Sequence, residues 1–97
     1  MSQLISVTPE EMEDRANSYL QQSEEIERVI GIMDGLLRDL QNEWKGNASE
    51  AYAQRYEELR PNFVSAQDLA KEISDALYKV AAQYRETDDA LAQAVSG

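Results

Sequence analysis

Apolar positions between residues 12 and 44 advance in alternating steps of four and three. This spacing lines up one side of an α-helix, whereas a half-buried β-strand would alternate every second residue. Only Ser23 interrupts the row with a polar side chain. The predicted seam consists of Met12, Ala16, Tyr19, Ser23, Ile26, Ile30, Met33, Leu37, Leu40 and Trp44.

A second row with the same period runs from residue 52 to residue 94, and Thr87 is its one polar member. The predicted seam consists of Tyr52, Tyr56, Leu59, Phe63, Ala66, Ala70, Ile73, Leu77, Val80, Tyr84, Thr87, Leu91 and Ala94. The row continues in phase across Pro61, which costs about 3 kcal/mol in a helix interior. The pattern favours one kinked helix, and two shorter helices are the alternative.

Capping residues mark the ends of both predicted helices. Thr8 is the expected N-cap of the first helix, with Pro9 at the first helical position. Lys45 suits the negative end of the helix dipole, and Gly46 accepts the backbone conformation that commonly ends a helix. Asn47 is the expected N-cap of the second helix.

These signals predict an all-α fold in a single domain, residues 1–97. The first helix covers residues 8–44, the turn residues 45–47, and the second helix residues 48–93 with a kink near 61. The ends of the chain are expected to be flexible. Two long helices joined by so short a turn fold back as an antiparallel two-helix hairpin.

The composition excludes most catalytic chemistry. The chain has no cysteine and no histidine, so it offers no thiolate or imidazole for catalysis or metal binding. Its carboxylates are spread along helix faces, many in i,i+4 pairs with Lys or Arg, which is typical of a solvated surface. We therefore predict no enzyme activity, no catalytic residue, no metal site and no cofactor.

The charge and hydropathy restrict the partners. A formal net charge of −10 argues against binding to nucleic acid or to an anionic membrane surface. No apolar run approaches the roughly 20 residues of a membrane span, so stable membrane insertion is not expected. The first residues lack the basic and apolar regions of a classical signal peptide.

The only tryptophan, Trp44, stands beside the turn at the midpoint of the chain. It either closes the end of the hairpin core or serves in recognition. The tripeptide Trp44-Lys45-Gly46, between two long heptad rows in an acidic chain of this length, resembles the WXG100 family. The resemblance covers the whole chain. It implies a small helical-hairpin protein that a type VII (Esx/Ess) secretion system exports without a classical signal peptide.

A second motif fits the same resemblance. Family members carry a C-terminal Tyr-x-x-x-Asp/Glu secretion signal, and Tyr84 and Asp88 match it here. The resemblance implies that the membrane ATPase of the secretion machine binds this motif. Residues four apart share a helix face, and a hairpin folded about residues 45 and 46 would place Tyr84 just past the start of the first helix. The alternative is that Tyr84 is one more seam residue and Asp88 one more solvated acid.

The first helix carries more apolar residues than one partner helix can cover. Val29, Ile32 and Leu36 lie to one side of its seam, so a second hairpin is expected there, giving a four-helix bundle. A homodimer is expected rather than the alternative, a heterodimer, because this one chain carries both the Trp-x-Gly and the Tyr-x-x-x-Asp motif. Gly31 and Gly35 either allow a close approach by a neighbouring helix or are tolerated at the surface.

The sequence together with this resemblance predicts a non-enzymatic protein that is cytoplasmic before export and leaves the cell as a folded dimer. Recognition would use Tyr84 and Asp88, together with the turn formed by Trp44 and Gly46. The alternative is an intracellular coiled-coil adaptor that is not exported. The acidic charge and narrow apolar face argue against membrane lysis by the folded dimer.

Overall fold

The computed structural model describes residues 7–96 and consists of two antiparallel α-helices. Helix α1 spans Pro9–Glu43 and helix α2 spans Asn47–Ser96. The described residues contain no strand, so the fold is an all-α hairpin. It measures 76 × 27 × 15 Å, and α2 accounts for the long dimension because 50 residues at 1.5 Å each span about 75 Å.

The start of α1 follows from its capping sequence. Thr8 is the N-cap, and its Oγ1 accepts a hydrogen bond of 3.1 Å from the backbone N–H of Glu11. Pro9 occupies the first helical position, where its missing N–H costs nothing. The side chain of Thr8 therefore satisfies one of the backbone donors that the first turn leaves without a partner.

The start of α2 differs from the sequence-based expectation. Gly46, rather than Asn47, lies in the capping position, since its carbonyl accepts hydrogen bonds from the Glu50 N–H at 3.3 Å and the Ser49 hydroxyl at 3.0 Å. Gly46 has φ 148°, a backbone conformation that side chains disfavour. The chain thus turns sharply at glycine, and Asn47 is already the first residue of the helix.

Helix α2 runs through Pro61 without a break and reaches Ser96. Pro61 cannot donate the usual backbone hydrogen bond, but the surrounding turns remain helical. Residues 94–96, which were predicted to belong to a flexible end, are part of α2. The other residues predicted to be flexible, 1–6 and 97, lie outside the described residues.

Small side chains fill the seam between the helices. The buried residues are Ala16, Ser23 and Ile30 of α1, and Ser49, Ala53, Ala70, Ser74 and Ala81 of α2. The α1 residues fall on the predicted seam, and the serine that interrupts the apolar row is buried within it. In α2, Ala70 also falls on the predicted seam, but the rest of the inward face is rotated from the predicted one. Ala53, Ser74 and Ala81 are buried beside predicted seam residues that remain half-exposed or exposed.

The packing explains this rotation. A row of alanine and serine lets two helices meet with little side-chain volume between them. The large residues of the predicted seam, such as Ile73 and Val80, then lie along the edge of the contact, where they are half-buried. The apolar period alone did not distinguish these two neighbouring rows.

Candidate functional site

The two edges of the helix contact differ in chemistry. On α1, Asp34 and Glu27 lie to one side of the buried Ile30, and Ile26 and Met33 lie to the other. We call the two edges the polar flank and the apolar flank. The polar flank comprises Glu10, Glu13, Asn17, Glu27, Asp34, Tyr56, Arg60, Gln67, Tyr78 and Arg85. The apolar flank comprises Ile26, Val29, Met33, Leu36, Leu59, Phe63, Ala66, Ile73 and Val80, with Ile32 at its outer edge.

Asp34 anchors the polar flank near the turn. Its carboxylate accepts hydrogen bonds from Arg60 at 3.0 and 2.9 Å and from the Tyr56 hydroxyl at 2.6 Å. The hydrogen bonds from Arg60 and then from Tyr56 lower the pKa of Asp34 from its ordinary value of 3.8 to about 2. The bidentate arginine fixes one helix against the other at this point.

Further cross-helix contacts follow along the same flank. Gln67 donates to Glu27 at 3.2 Å, and the Tyr78 hydroxyl donates to Asn17. Together with the contacts of Asp34 and Arg85, they link α1 and α2 at intervals along the hairpin. The polar flank therefore finds its partners within the chain.

The apolar flank has no such closure in the described chain. Val29 and Ile32 are 40% and 47% exposed, and Leu36 is 62% exposed. A shallow groove of about 330 Å³ opens between the helices here. Its lining consists of Glu25, Ile26, Val29, Ile30, Met33, Phe63 and Ala66. Exposed apolar surface continuous over both helices is typical of an interaction site.

The turn places two aromatic rings side by side. Trp44 is the C-cap of α1, and its backbone N–H donates to the Leu40 carbonyl at 2.7 Å. The ring centroids of Trp44 and Tyr52 lie 6.2 Å apart with a tilt of 38°, within the range of favourable aromatic pairs. Trp44 is 41% exposed and Tyr52 is 63% exposed, so both rings are available to a partner.

At the open end, α1 extends further along α2 than the sequence-based register indicated. Arg85 forms ion pairs with Glu13 at 2.7 Å and Glu10 at 3.4 Å, so the first turns of α1 lie beside Arg85. The expected register placed Tyr84 just past the start of α1. It assumed a turn at residues 45 and 46, whereas α2 begins only at Asn47.

Tyr84 and Asp88 lie one helical turn apart on the side of α2 that faces the start of α1. Tyr84 is half-buried, and Asp88 is exposed at a polar cleft of about 390 Å³. The cleft is lined by Thr8, Pro9, Glu10, Arg85, Asp88 and Asp89. Leu91, 60% exposed, continues this face one turn further on. The face thus presents a partly covered ring, an acid and an apolar side chain.

Two features relevant to other functions are missing from the part of the chain that the structure describes. No group of three or more carboxylates is arranged to hold a metal ion there. Neither α1 nor the described α2 contains a stretch apolar enough to span a membrane. The exposed side chains can bind a partner through apolar, aromatic and acidic contacts.

Together, the long antiparallel helices, the Trp-x-Gly turn and the open apolar flank define a small helical-hairpin protein suited to binding. A family described as "WXG100: Proteins of 100 residues with WXG" matches residues 4–89. The chain belongs to the WXG100 family.

Relatives and solved structures agree with this assignment. "Protein YukE" of Bacillus subtilis is 34% identical over 97 residues, with both chains fully covered. "Type VII secretion system extracellular protein A" of Staphylococcus aureus is 25% identical over 88 residues, 91% of each chain. The crystal structure of EsxA from Geobacillus thermodenitrificans is similar with a TM-score of 0.87 and 35% identity. That similarity covers 95% of this chain and 99% of the other.

The structure adds residues that the sequence interpretation left out of its candidate sites. Tyr52 was predicted only as a seam residue of α2 and Arg85 was not singled out, yet they contact Trp44 and the start of α1. Leu91 lies seven residues after Tyr84, a spacing that identifies a shared helix face. Helical periodicity alone could have identified Leu91, but the contacts of Arg85 with α1 could be identified only from the register of α1 against α2.

Proposed function

We propose that this protein is a substrate of a type VII secretion system and is exported as a folded homodimer. The assignment to WXG100 and the names of its relatives support the secretion route. The observation that carries the proposal is the face of Tyr84, Asp88 and Leu91 beside the start of α1, which presents a half-buried ring, an exposed acid and an exposed apolar side chain. This face would serve as the secretion signal for the membrane ATPase of the machine.

The apolar flank supports the homodimer. Two copies with a net charge of −10 each repel one another, and of the residues that line the groove on this flank only Glu25 is charged. A second hairpin placed on it would cover Val29 and Leu36, with Ile32 at the edge, and would complete a four-helix bundle. Within the described residues, Val29, Ile32 and Leu36 remain 40%, 47% and 62% exposed.

The signal can be tested by export into the culture medium. Tyr84→Ala removes a half-buried ring and should abolish export, while the helix content stays unchanged. Leu91→Ala should reduce export as well. The matched control is Tyr19→Ala, which removes a tyrosine that is 41% exposed on α1, six residues after Glu13 and so roughly 9 Å further from the open end.

Moving the acid tests the face itself. The double variant Thr87→Asp with Asp88→Thr keeps composition and net charge but rotates the carboxylate by about 100° around the helix. We expect this variant to remain in the cell with an unchanged melting curve. Export of the shifted variant at the normal level would refute a signal made of Tyr84 and Asp88. If the unaltered protein stays in its native host under secreting conditions, the intracellular adaptor becomes the better proposal.

The Trp-x-Gly turn is the second proposed recognition element. Full burial would make Trp44→Ala cost about 3–5 kcal/mol, but with 41% of the side chain exposed we expect about 1–2 kcal/mol. Export should fail in this variant although the hairpin still folds. Tyr52→Ala removes the ring that contacts Trp44 and serves as the comparison. Normal export of Tyr52→Ala together with loss of export in Trp44→Ala would show that the secretion machine recognises the indole itself.

A further inference from the structure

Arg85 stands between the two residues of the proposed signal but points to a different partner. Its Nη2 lies 2.7 Å from Oε1 of Glu13, and its Nη1 lies 3.4 Å from Oε1 of Glu10. Both carboxylates belong to the first turns of α1. One guanidinium therefore joins the start of α1 to the segment of α2 that carries Tyr84 and Asp88.

The position of Arg85 on its helix determines which way the neighbouring side chains face. Arg85 follows the buried Ala81 by four residues, so it lies at the polar edge of the helix contact. Asp88 follows Ala81 by seven residues and continues the inward row past the start of α1. Because both residues belong to the same helix, the contacts that hold Arg85 at the polar edge also keep Asp88 at the cleft beside Thr8 and Pro9.

We propose that Arg85 is a positioning residue: its ion pairs with Glu10 and Glu13 hold the signal segment at a fixed rotation and depth against α1. The inference rests on the proposed secretion signal. It makes the signal a composite of both ends of the chain, because a receptor then meets Tyr84 and Asp88 beside the N-terminal turn of α1. Arg85 itself contributes through that placement rather than through a contact with the receptor.

The size of the effect follows from the exposure of the ion pairs. The Arg85 side chain is 43% exposed, and those of Glu13 and Glu10 are 39% and 69% exposed. Exposed ion pairs change an equilibrium by at most about five-fold. Global stability should hardly change without Arg85, whereas the equilibrium between the docked and the undocked signal segment should shift several-fold toward the undocked form.

A charge-swap experiment separates positioning from direct recognition. Arg85→Glu should lower export about five-fold or more, because it places a third acid beside Glu10 and Glu13. Adding Glu13→Arg should restore export to within about two-fold of the unaltered protein, since the reversed pair holds the same segment. The control Arg55→Glu changes the net charge equally but disrupts only the pair of Arg55 with Glu58 inside α2.

Hydrogen exchange provides a readout independent of export. Arg85→Gln should speed amide exchange across residues 86–92 about two- to five-fold and leave the centre of the seam unchanged. Arg55→Gln should leave residues 86–92 unchanged. Equal exchange rates in Arg85→Gln and the unaltered protein would overturn the proposal, as would normal export of Arg85→Glu.

Two further outcomes are informative. Failure of Glu13→Arg to rescue Arg85→Glu, with exchange at residues 86–92 restored, would mean that the receptor reads the arginine itself, which overturns the positioning role. Tyr84→Ala tests the signal separately. Normal export of Tyr84→Ala would refute the proposed signal. If Tyr84→Ala is not exported but Arg85→Glu is exported normally, only the role of Arg85 is refuted.

Discussion

The polar flank and the apolar flank run along opposite edges of the same helix contact, yet only one of them is completed within the chain. On the polar flank, carboxylates such as Asp34 and Glu13 meet arginines of the other helix. On the apolar flank, Leu36 and Phe63 remain 62% and 39% exposed. Directional hydrogen bonds fix how α1 and α2 align, whereas the non-directional apolar burial along the other flank is incomplete within the described residues.

The largest expected effect comes from adding charge to the apolar flank. Ile32→Glu combined with Leu36→Glu should convert the proposed dimer to monomer while the helices persist. Each large apolar side chain that loses its burial forfeits about 2 kcal/mol, and a symmetric dimer loses each one twice. Sedimentation at micromolar concentration measures the change, with Gln21→Glu and Gln41→Glu as an equally charged control. A monomeric unaltered protein would contradict the four-helix proposal.

The second prediction concerns Gly31 and Gly35, on the outer side of the polar flank, and tests whether this side also takes part in assembly. Around Gly31 and Gly35, no side chain or distant backbone of the described chain lies within 4 Å of where a Cβ would stand. Replacing both glycines with alanine should stabilise the protein by about 1–2 kcal/mol through helix propensity, with the dimer intact. Thermal melts and sedimentation decide this, since dissociation after the double substitution would mean that a partner helix packs closely against the glycines.

A smaller gain is expected in the seam between the flanks. The hydroxyl of Ser74 is buried and lacks a hydrogen-bond partner among the described residues, and the side chain is 1% exposed. Ser74→Ala should raise the free energy of unfolding by about 1 kcal/mol, because an unsatisfied buried hydroxyl is removed from a site that fits alanine. Ser18→Ala is the control, as its exposed hydroxyl bonds to the Asp14 carbonyl at 3.1 Å. A loss of stability in Ser74→Ala would show that the hydroxyl is satisfied.

The smallest effect should come from the anchor of the polar flank, and it should depend on pH. The folded pKa of Asp34, about 2, is below its ordinary value of 3.8. Ionised Asp34 therefore stabilises the fold above about pH 4, and this contribution disappears as the pH falls through about 2. Asp34→Asn should lower the denaturation midpoint at pH 7, and the difference from the unaltered protein should shrink between pH 4 and 2. Asp39→Asn, which makes the same change at an exposed position of α1, is the matched control.

Much of the fold could be predicted because it depends on local rules. The capping sequence at Thr8 and the flexible backbone of Gly46 identify where α1 begins and where the chain turns. The apolar period of α1 identifies the face that packs inward, including the buried Ser23. The candidate signal residues were found through a motif, and helical spacing places them on one face.

The inward face of α2 was not predictable in the same way. Its larger side chains, such as Leu59 and Ile73, form the more hydrophobic row, yet Ala53 and Ser74 are the residues buried by α1. Hydrophobic periodicity measures how much apolar surface a helix face carries and does not say which partner will cover it. The contact of Trp44 with Tyr52 likewise depended on the turn geometry.

The sequence by itself determined that the chain forms two long helices around a Trp-x-Gly turn, because caps, glycine and a 3.5-residue period act over one or two turns of helix. Only the tertiary structure decided the register and rotation of α2, which bring Arg85 to Glu13 and leave Ile32 exposed. Those choices depend on how small side chains and cross-helix hydrogen bonds fit together over residues far apart in the chain. The predicted and the observed inward faces of α2 have the same period, and they differ only in how well they fit against α1.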